Sequence, residues 1–559
     1  MIDRKQPWYW LNESSRQFMS RGYTLEGQTP EDRVRQIAET AESILKRPGY
    51  ADKLYEYVSR GWISFSTPVW ANFGLGRGFP ISCFGSYIAD DMSSIMYTHA
   101  ENGMMSKYGG GTSGYFGALR ARGAEIKNNG SSNGPVHFMQ MFETLIHVVS
   151  QGKVRRGSFS PYLPLEHPDV MEFLDIGTEG NPIQNMTHAV TVGDEWMKSM
   201  VDGDEEKRKI WAKVIQRRGE IGYPYILFTD NANNNKPDVY KDKDMKIVAS
   251  NLCSEIMLPS DEQNSFVCCL SSINLLHYEE WKDTDLVETM VSLLDAVISD
   301  FCTRLETLRD SDKHSDNQAF QFMERTYNFA KNHRALGLGV LGWHSYLQSK
   351  RIALESDEAS KMNEDIWKGL KEKGEAASKE LAKEFGEPEV LKGYGRRNTT
   401  IFAIAPTTSS AFILGQVSQS IEPVWSNAYV KDVAKLKVTI KNPFLEEVLV
   451  EKDKNTKEIW SSIRDHDGSV QHLDFLNDDE KKVFRTFPEM DQAVIIEQAA
   501  VRQRYIDQGQ SLNIMVPPGV SPKDINQLYL TAWKKGVKAL YYQHSMNAAQ
   551  ALTRQKLTR

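Results

Sequence analysis

Short apolar runs that alternate with amphipathic helical segments are the feature that most constrains the fold of this chain. Three such runs, THAVTVGDEW, YPYILFTD and SFVCCLSSINLL, fall between about residues 185 and 275 and have the length and composition of strands. Residues 285–308 and 357–385 carry apolar side chains at helical spacing. Strands that alternate with helices predict an α/β fold built around one large sheet or barrel.

The first ~75 residues read as helical. Thr29 is a good N-cap, Pro30 suits the first helical position, and Pro48-Gly49 ends the run. This segment is expected to be a packing module without chemistry of its own.

The charge balance and the cysteine count exclude several classes of protein. Lys and Arg number 67 against 74 Asp and Glu, a net charge of −7, which argues against polymer nucleic acid as a partner. The chain has no apolar run long enough to span a membrane, and its first residues do not form a signal peptide. Five cysteines without a C-x-x-C pair indicate neither a disulfide scaffold nor a zinc site, so we expect a cytoplasmic protein with no metal of its own.

The glycine-rich stretch 109–114 matches G-x-G-x-x-G, the pattern of a dinucleotide-binding turn. That motif needs a strand before it and a helix after it. Here the following residues, YFGALRARG, are strand-like. We therefore interpret the stretch as a structural turn.

The hexapeptide NLCSEI carries the clearest chemical signal. In an extended segment Asn251, Cys253 and Glu255 would share one face, which places a thiol between an amide and a carboxylate. The alternative is an inert buried cysteine in a strand. A carboxylate two residues away should raise the thiol pKa, which disfavours a thiolate nucleophile but not one-electron thiol chemistry.

The other cysteines divide into two kinds. Cys83 and the Cys268-Cys269 pair lie in strand-like contexts and could meet to form a disulfide, although the sequence does not show that they do. Cys302 falls on the apolar face of the 285–308 helix and is expected to be an inert core residue.

Three further patterns allow two interpretations each. Residues 405–410, APTTSS, form either a phosphate cradle or a plain helix cap, and residues 152–157, GKVRRG, either an anion-binding loop or a solvated basic turn. The adjacent Tyr541 and Tyr542 either pack in the core or relay an electron and a proton.

Taken together and in this order, these segments resemble the large (alpha) subunit of class I ribonucleotide reductase. The resemblance extends from about residue 8 to 545 and is carried by the segments FSTPVWANFG, SCFGSYIADDMSSI, QGKVRRGS, NLCSEI, VCCLSSINL, RALGLGVLGWH, IAPTTSS with SIEP, and GVKALYYQHS. It implies a ten-stranded α/β barrel with a central finger loop. The expected division is a helical N-terminal domain (1–77), the barrel (78–545) and a C-terminal tail (546–559).

The resemblance also implies a reaction, the reduction of ribonucleoside diphosphates to deoxyribonucleotides, the precursors of DNA. Cys253 would be the thiyl radical that abstracts the 3′-hydrogen. Glu255 would take the 3′-hydroxyl proton, and Asn251 would bind the sugar hydroxyls. Cys83 and Cys268 would form the dithiol that reduces the 2′ position and ends as a disulfide, with Cys268 preferred over Cys269 by alignment.

Further roles follow from the resemblance. Tyr541 and Tyr542 would end a radical relay from a small beta subunit, whose metal cofactor supplies the radical, and no cofactor would be bound covalently in this chain. The substrate would contact a set of polar residues: Thr67, Ser82, Asn251, Glu255, Pro406, Thr407, Thr408, Ser409 and Ser410.

Regulation is implied as well. A dNTP or ATP effector, with Mg²⁺, would bind at a homodimer interface through Asp90 and Lys127. Gln151 and Arg155 would read the effector and carry its signal to the substrate base.

Two departures from the family pattern leave questions open. We expect the N-terminal ATP cone and the C-terminal cysteine pair of the family to be absent, so the sequence predicts neither overall control by ATP or dATP nor which thiol source re-reduces the active-site disulfide. A catalytically silent nucleotide-sensing subunit and a cobalamin-dependent reductase are the alternatives. The tyrosine pair and the intact set of cysteines argue against them.

Overall fold

The computed structural model describes residues 1–152, 156–433 and 436–545. Within these ranges the strands are β1 (Ile63–Phe65), β2 (Cys83–Tyr87), β3 (Gly111–Tyr115), β4 (Ser158–Pro164), β5 (Ala189–Val192), β6 (Tyr225–Phe228), β7 (Phe266–Asn274), β8 (Leu336–Leu341), β9 (Ala428–Val433), β10 (Leu436–Lys441), β11 (Ile514–Met515), β12 (Ala539–Leu540) and β13 (Gln543–His544). The α-helices are α1 (Glu13–Met19), α2 (Pro30–Leu45), α3 (Tyr50–Ser59), α4 (Thr67–Asn72), α5 (Met92–Lys107), α6 (Pro135–Val148), α7 (Val170–Leu174), α8 (Asp194–Val201), α9 (Glu205–Ile221), α10 (Thr229–Asn234), α11 (Asp238–Asp242), α12 (Tyr278–Trp281), α13 (Leu286–Arg309), α14 (His314–His333), α15 (Trp343–Ser349), α16 (Asp357–Phe385), α17 (Thr408–Ile413), α18 (Pro443–Glu451), α19 (Lys457–Asp465), α20 (Asp478–Val483), α21 (Gln492–Gln503) and α22 (Pro522–Lys534). The predicted Arg155 and the predicted tail, 546–559, lie outside the described residues.

One half of the architecture is a run of five parallel strands, β2 to β6, joined in chain order. Parallel neighbours need crossover connections, and helices α5 to α9 supply them on the outside of the sheet. The strand residues are almost all buried, as expected for a sheet that packs on both faces.

The second half closes this sheet into a barrel. Strand β7 pairs antiparallel with β2, and β12 pairs antiparallel with β6, so both edges of the first half are covered. Strand β8 is parallel to β7 and bridges to Phe402, Ile404 bridges to Gln510, and β11 pairs with β13. The predicted α/β barrel is confirmed. The count of ten strands stays a prediction, because residues 402–404 carry isolated bridges rather than a regular strand.

The N-terminal segment packs directly on the barrel. Helix α2 begins as predicted, with the Thr29 side chain accepting a hydrogen bond from the Asp32 amide and Pro30 in the first turn. Strand β1 lies within the predicted 1–77 domain but pairs antiparallel with β7, and Trp10 belongs to the same core as the barrel. The boundary at residue 77 stays a prediction.

Several sequence-based expectations agree closely with the structure. The predicted helices 285–308 and 357–385 are α13 and α16. The glycine-rich stretch, predicted to be a structural turn, is a turn only at Gly109, and its residues 111–114 belong to strand β3. Helix α5 precedes it where a dinucleotide-binding turn needs a strand, so that geometry is absent there, as expected. No helix in the described ranges combines the length and apolarity needed to cross a membrane.

Two glycines provide a matched test of packing on this barrel. A Cβ atom at Gly339 in β8 would lie 2.6 Å from the Ala403 carbonyl oxygen, a backbone atom that cannot rotate away, whereas a Cβ atom at Gly369 in α16 would meet nothing within 4 Å. Gly339→Ala should lower the free energy of unfolding by about 1–3 kcal/mol through overpacking. Gly369→Ala should raise it by roughly 0.5–1 kcal/mol, because alanine is the better helix former. Denaturant unfolding measures both, and equal effects of the two substitutions would contradict this packing.

Candidate active site

The strand register brings together the two cysteines predicted to form a dithiol. Cys83 opens β2 and is the direct antiparallel partner of Cys268 in β7. Directly opposed antiparallel residues have Cα atoms about 4.5–5.5 Å apart, within the range that a disulfide requires. Both cysteines are buried, and they are not joined by a disulfide in this structure. Their placement supports Cys268, rather than Cys269, as the partner of Cys83.

The NLCSEI segment reaches the predicted cluster by a different geometry from the one expected. It is not an extended strand: Leu252 and Cys253 form a turn, and Ser254 has a left-handed φ of +68°. The Asn251 side-chain oxygen accepts hydrogen bonds from the Glu255 amide at 3.1 Å and the Ile256 amide at 3.3 Å. The expectation of alternate side chains on a strand face is therefore wrong, because Asn251 closes a turn and this turn projects Cys253 from its tip.

Residues from both halves of the barrel hold this turn. In the first half, the Tyr162 hydroxyl of β4 donates to the Asn251 carbonyl oxygen at 2.6 Å. From the second half, the Ser511 hydroxyl donates to the Cys253 carbonyl oxygen at 2.6 Å, and the Gly509 amide donates to the Glu255 carbonyl oxygen at 2.9 Å. The turn thus lies inside the barrel between its two halves, as the predicted finger loop requires.

Glu255 is a buried carboxyl group beside the thiol. It is 1% exposed, and its side chain lies 3.1 Å from the Ser511 hydroxyl. Burial raises the pKa of Glu255 to about 7, against the smaller opposing effect of hydrogen bonds from its own amide and from Asn251 and Ser511. A group that gains and loses a proton near neutral pH is suited to general acid–base chemistry.

The dithiol cysteines have polar neighbours that come from distant parts of the chain. The Gln508 amide donates to the Cys268 sulfur at 3.2 Å, and its oxygen accepts from the Met257 amide, so one side chain ties the finger loop to β7. The Asn251 amide lies 3.7 Å from the Cys83 sulfur. Burial raises the pKa of Cys268 well above its usual value. Such thiols stay protonated, which favours hydrogen-atom chemistry over thiolate attack.

The remaining cysteines have different environments. Burial raises the pKa of Cys269 well above its usual value, and the nearby Cys83 and Asp295 add to the effect. Cys302 is buried on α13, and burial raises its pKa to about 12. Its position agrees with the expectation of an inert core residue.

The tyrosine pair ends at the finger-loop thiol. The Tyr541 hydroxyl donates to the Cys253 sulfur at 3.5 Å, and the Tyr541 and Tyr542 rings have centroids 4.5 Å apart. Burial raises the pKa of Tyr541 well above its usual value, and the neighbouring Cys253 and tyrosines reinforce this. The ring of Tyr541 is therefore a neutral phenol in direct contact with the thiol.

The predicted phosphate segment lies at a rim of the barrel and is partly exposed from Ala405 to Ser410. The expectation that Pro406 begins the helix is wrong. Instead Thr407, at a left-handed φ of +54°, is the N-cap of α17, and its side chain makes no capping bond. The Thr407 hydroxyl instead accepts from the Ser420 amide at 2.8 Å. Thr408, Ser409 and Ser410 therefore begin the helix with amides that no capping side chain satisfies.

The other predicted substrate contacts lie next to these elements. Thr67 begins α4 directly after β1, a strand that packs against α17, and its hydroxyl is 3.1 Å from the Tyr23 hydroxyl. Ser82 precedes Cys83 and is partly exposed, with its hydroxyl 3.9 Å from the Cys83 sulfur.

The predicted effector residues occupy a separate surface. Asp90 accepts two hydrogen bonds from Arg120, and Arg120 also donates to the Glu125 carbonyl oxygen, which ties Asp90 to the loop that carries the exposed Lys127. Gln151 exchanges amide hydrogen bonds with the buried Asn72, at 2.8 and 3.3 Å. Arg155 lies outside the described residues, so its predicted role has no structural counterpart here.

Sequence reasoning missed three residues that build the site, Tyr162, Gln508 and Ser511, and a fourth, Arg120, that holds the predicted effector residue Asp90. Each is an ordinary polar or aromatic residue outside the motifs that indicated the chemistry. Its role arises only because the fold brings it into contact with residues that are distant in the sequence. Among the described residues, no three or more His, Cys, Asp or Glu side chains converge as metal ligands would.

Comparison with known proteins places this geometry in a family. The chain matches the family model described as "Ribonucleotide reductase, barrel domain" over residues 81–207, 204–392 and 388–543. The ribonucleoside-diphosphate reductase large subunit of Invertebrate iridescent virus 3 is 31% identical, covering 88% of this chain and 87% of its own length. The alpha subunit of Chlamydia trachomatis serovar D is 28% identical, over 90% of this chain and 55% of its own.

A solved structure, the class Id ribonucleotide reductase alpha subunit of Actinobacillus ureae, is 55% identical to this chain. It superposes with a TM-score of 0.90 over 98% of this chain and 99% of its own. The family match, the relatives and this superposition agree with the barrel and its buried cysteines, and the chain belongs to the ribonucleotide reductase large-subunit family.

Proposed function

We propose that this chain is the catalytic subunit of a class I ribonucleoside-diphosphate reductase and that Cys253, as a thiyl radical, starts the reaction. The observation that carries the proposal is the Tyr541–Cys253 contact inside the barrel, because it gives the partly exposed thiol a neighbour that, once oxidised, can accept its hydrogen atom. The family names of the relatives support the substrate class, ribonucleoside diphosphates.

The steps balance in atoms and electrons. The Cys253 thiyl takes the 3′-hydrogen from the ribose, and Glu255 accepts the 3′-hydroxyl proton. The 2′-hydroxyl leaves as water with one proton from the Cys83–Cys268 dithiol. The second proton of the dithiol and one of its electrons become the new hydrogen at C2′, and its other electron goes to the 3′ carbonyl as the two sulfurs form a disulfide. Glu255 returns its proton to the 3′-oxygen, and the 3′-hydrogen returns from Cys253 to C3′, which regenerates the thiyl. With the substrate bound over the partly exposed Cys253, the radical would be shielded from water.

The polar groups around the Cys253 sulfur are suited to binding the substrate. Asn251 bridges the turn and reaches toward Cys83, so we assign to its amide the binding of the sugar hydroxyls. The diphosphate would lie at Thr407 to Ser410 on the exposed amides that begin α17, and Thr67 and Ser82 would complete the contacts.

The large subunit also implies a partner, since the alpha subunit of a ribonucleotide reductase works with a radical-generating beta subunit. The radical would arrive from the metal-containing beta subunit through Tyr542 and Tyr541. We further propose that the chain forms a homodimer whose specificity site for a dNTP or ATP, with Mg²⁺, includes Asp90 and Lys127, and that Gln151 and Arg155 carry its signal. A thiol reductant would reset the disulfide.

Substitutions of Cys253, Cys268 and Cys269 test the proposed roles of the thiols separately. In an assay with the beta subunit, a ribonucleoside diphosphate and dithiothreitol, the unaltered chain should yield deoxynucleotide. Cys253→Ala should give none, and Cys268→Ser should lose steady turnover because no disulfide can form. Cys269→Ser is the matched control, one residue along the same strand, and should retain activity. Product from Cys253→Ala equal to that of the unaltered chain would refute the radical site.

The raised pKa of Glu255 predicts a pH dependence. The base must be deprotonated, so kcat/KM should rise as pH increases toward about 7 and then level off. Glu255→Gln should lower kcat roughly 10²–10⁴-fold, the usual contribution of a general base. It should also remove the acid limb of the pH profile.

Glu422 is the control for this titration, because burial raises the pKa of this second enclosed carboxyl to about 7 as well. Glu422→Gln should keep the acid limb. An unchanged limb in Glu255→Gln would mean that another group titrates.

The effector proposal predicts a binding defect without a catalytic one. Asp90→Ala should weaken dTTP binding about tenfold or more, the cost of losing a charge-assisted hydrogen bond. Isothermal titration calorimetry measures this. Asp52→Ala, which removes the Arg35–Asp52 surface ion pair elsewhere, is the control and should bind dTTP normally. Equal affinity in both variants would place the effector elsewhere.

A further inference from the structure

Four tyrosines form one continuous group where β6 meets the 539–544 segment. Tyr541 and Tyr542 are joined there by Tyr223 and Tyr225, which flank Pro224 at the start of β6. Ring centroids lie 4.6 Å apart for Tyr225–Tyr541, 5.1 Å for Tyr225–Tyr542 and 6.1 Å for both Tyr223–Tyr542 and Tyr223–Tyr225. The relay pair therefore does not end at Tyr542 but contacts two further phenols.

The exposure of the four rings gives the group a direction. Tyr225 is 1% exposed and Tyr541 is 8% exposed, so both are enclosed next to Cys253. Tyr542 and Tyr223 are partly exposed. A path from the surface to the thiol can thus begin at Tyr223, pass to Tyr542 and Tyr541, and end at the Cys253 sulfur.

Tyr223 is a fixed member of this group rather than a loose surface side chain. Its ring packs edge-on against the buried His188 at 5.3 Å and against Tyr542 at an interplanar angle of 70°. The preceding residue, Gly222, accepts a hydrogen bond from the Gln543 amide at 2.9 Å. That bond ties the backbone next to Tyr223 to the residue that follows Tyr542.

We propose that Tyr223 is an additional redox-active residue, the outer tyrosine of the radical relay, which receives the oxidising equivalent before Tyr542. The inference rests on the proposed function, since it needs the relay to Cys253. The one-electron oxidant is the radical of the beta subunit.

Each step moves one electron and one proton. The Tyr223 O–H bond breaks as its electron and proton go to the oxidant of the partner. The Tyr542 O–H bond then breaks and the Tyr223 O–H bond re-forms. Tyr541 next passes its hydrogen to Tyr542, and Cys253 passes its hydrogen to Tyr541, which leaves the thiyl radical. After product forms, the same transfers run in reverse.

Tyr225 is the less suitable entry point although it touches both relay rings. It is almost fully enclosed, so a partner at the surface reaches it only through Tyr223 or Tyr542. Tyr223 alone among the two additional rings combines contact with Tyr542 and partial exposure.

The test replaces single tyrosines of the full chain by 3-aminotyrosine, which is oxidised more easily than tyrosine and traps the radical where it passes. Each variant is mixed with the beta subunit, a ribonucleoside diphosphate and dTTP, and examined by electron paramagnetic resonance. An aminotyrosyl signal is expected with the label at position 223 and with the label at position 542. It is not expected at Tyr240, a buried tyrosine of a different core cluster that bonds to His333 and Thr399.

The labels separate failure of this inference from failure of the proposed function. A signal at position 542 without one at 223 overturns the role of Tyr223 and leaves the relay intact. No signal at either position contradicts the proposed relay itself.

Substitution gives a second, independent readout. Tyr223→Phe should lower kcat at least tenfold while leaving the KM for the nucleoside diphosphate and the affinity for the beta subunit unchanged, because the ring and its packing are kept and the oxidisable hydroxyl is lost. Full turnover in Y223F would overturn the inference, and so would a loss of activity explained entirely by weaker binding of the beta subunit.

Discussion

The contact between the Tyr541 hydroxyl and the Cys253 thiol is the interaction on which the rest of the site depends. A thiyl radical is useful only if it forms beside its substrate and away from water, and both conditions constrain where the sulfur can lie. The barrel places the sulfur on a turn at its centre, where Cys253 is partly exposed. Asn251 closes that turn with its side chain, and Tyr162 and Ser511 hold it from opposite halves. The reactive group is thus positioned by the whole fold rather than by its neighbours in sequence.

The pairing of β2 with β7, where the two halves of the barrel meet, brings the two cysteines of the proposed dithiol together. Because β7 runs antiparallel to β2, Cys83 and Cys268 are opposed although they lie far apart in the chain. Gln508 connects Cys268 to the backbone of the finger loop, so one side chain links the proposed dithiol to the segment that carries the proposed radical cysteine. Burial keeps Cys268 protonated and moves the Glu255 pKa to about 7, so the same exclusion of water would serve both the proposed reductant and the proposed base.

Local signals predicted the elements, and resemblance to a known family predicted the site. Cap residues and periodicity were enough to predict helices α2, α13 and α16, and composition was enough to predict strands β5 to β7. The same reasoning failed at NLCSEI, because a strand pattern cannot reveal that an asparagine side chain will close a turn with a left-handed serine. Gln508 and Arg120 carry no local signal at all, since their roles exist only once distant segments meet.

Hydrogen transfer from the ribose tests the central claim most directly. The measurement is the rate of reduction of a ribonucleoside diphosphate that carries deuterium at the 3′ position, with the deuterium content of the product followed in parallel. A sulfur radical at Cys253 predicts a slower reaction than with the unlabelled substrate and a product that retains deuterium at C3′, because the thiol returns the atom that it took. Equal rates, with deuterium neither moved nor lost, would show that the 3′ bond is never broken and would contradict the account.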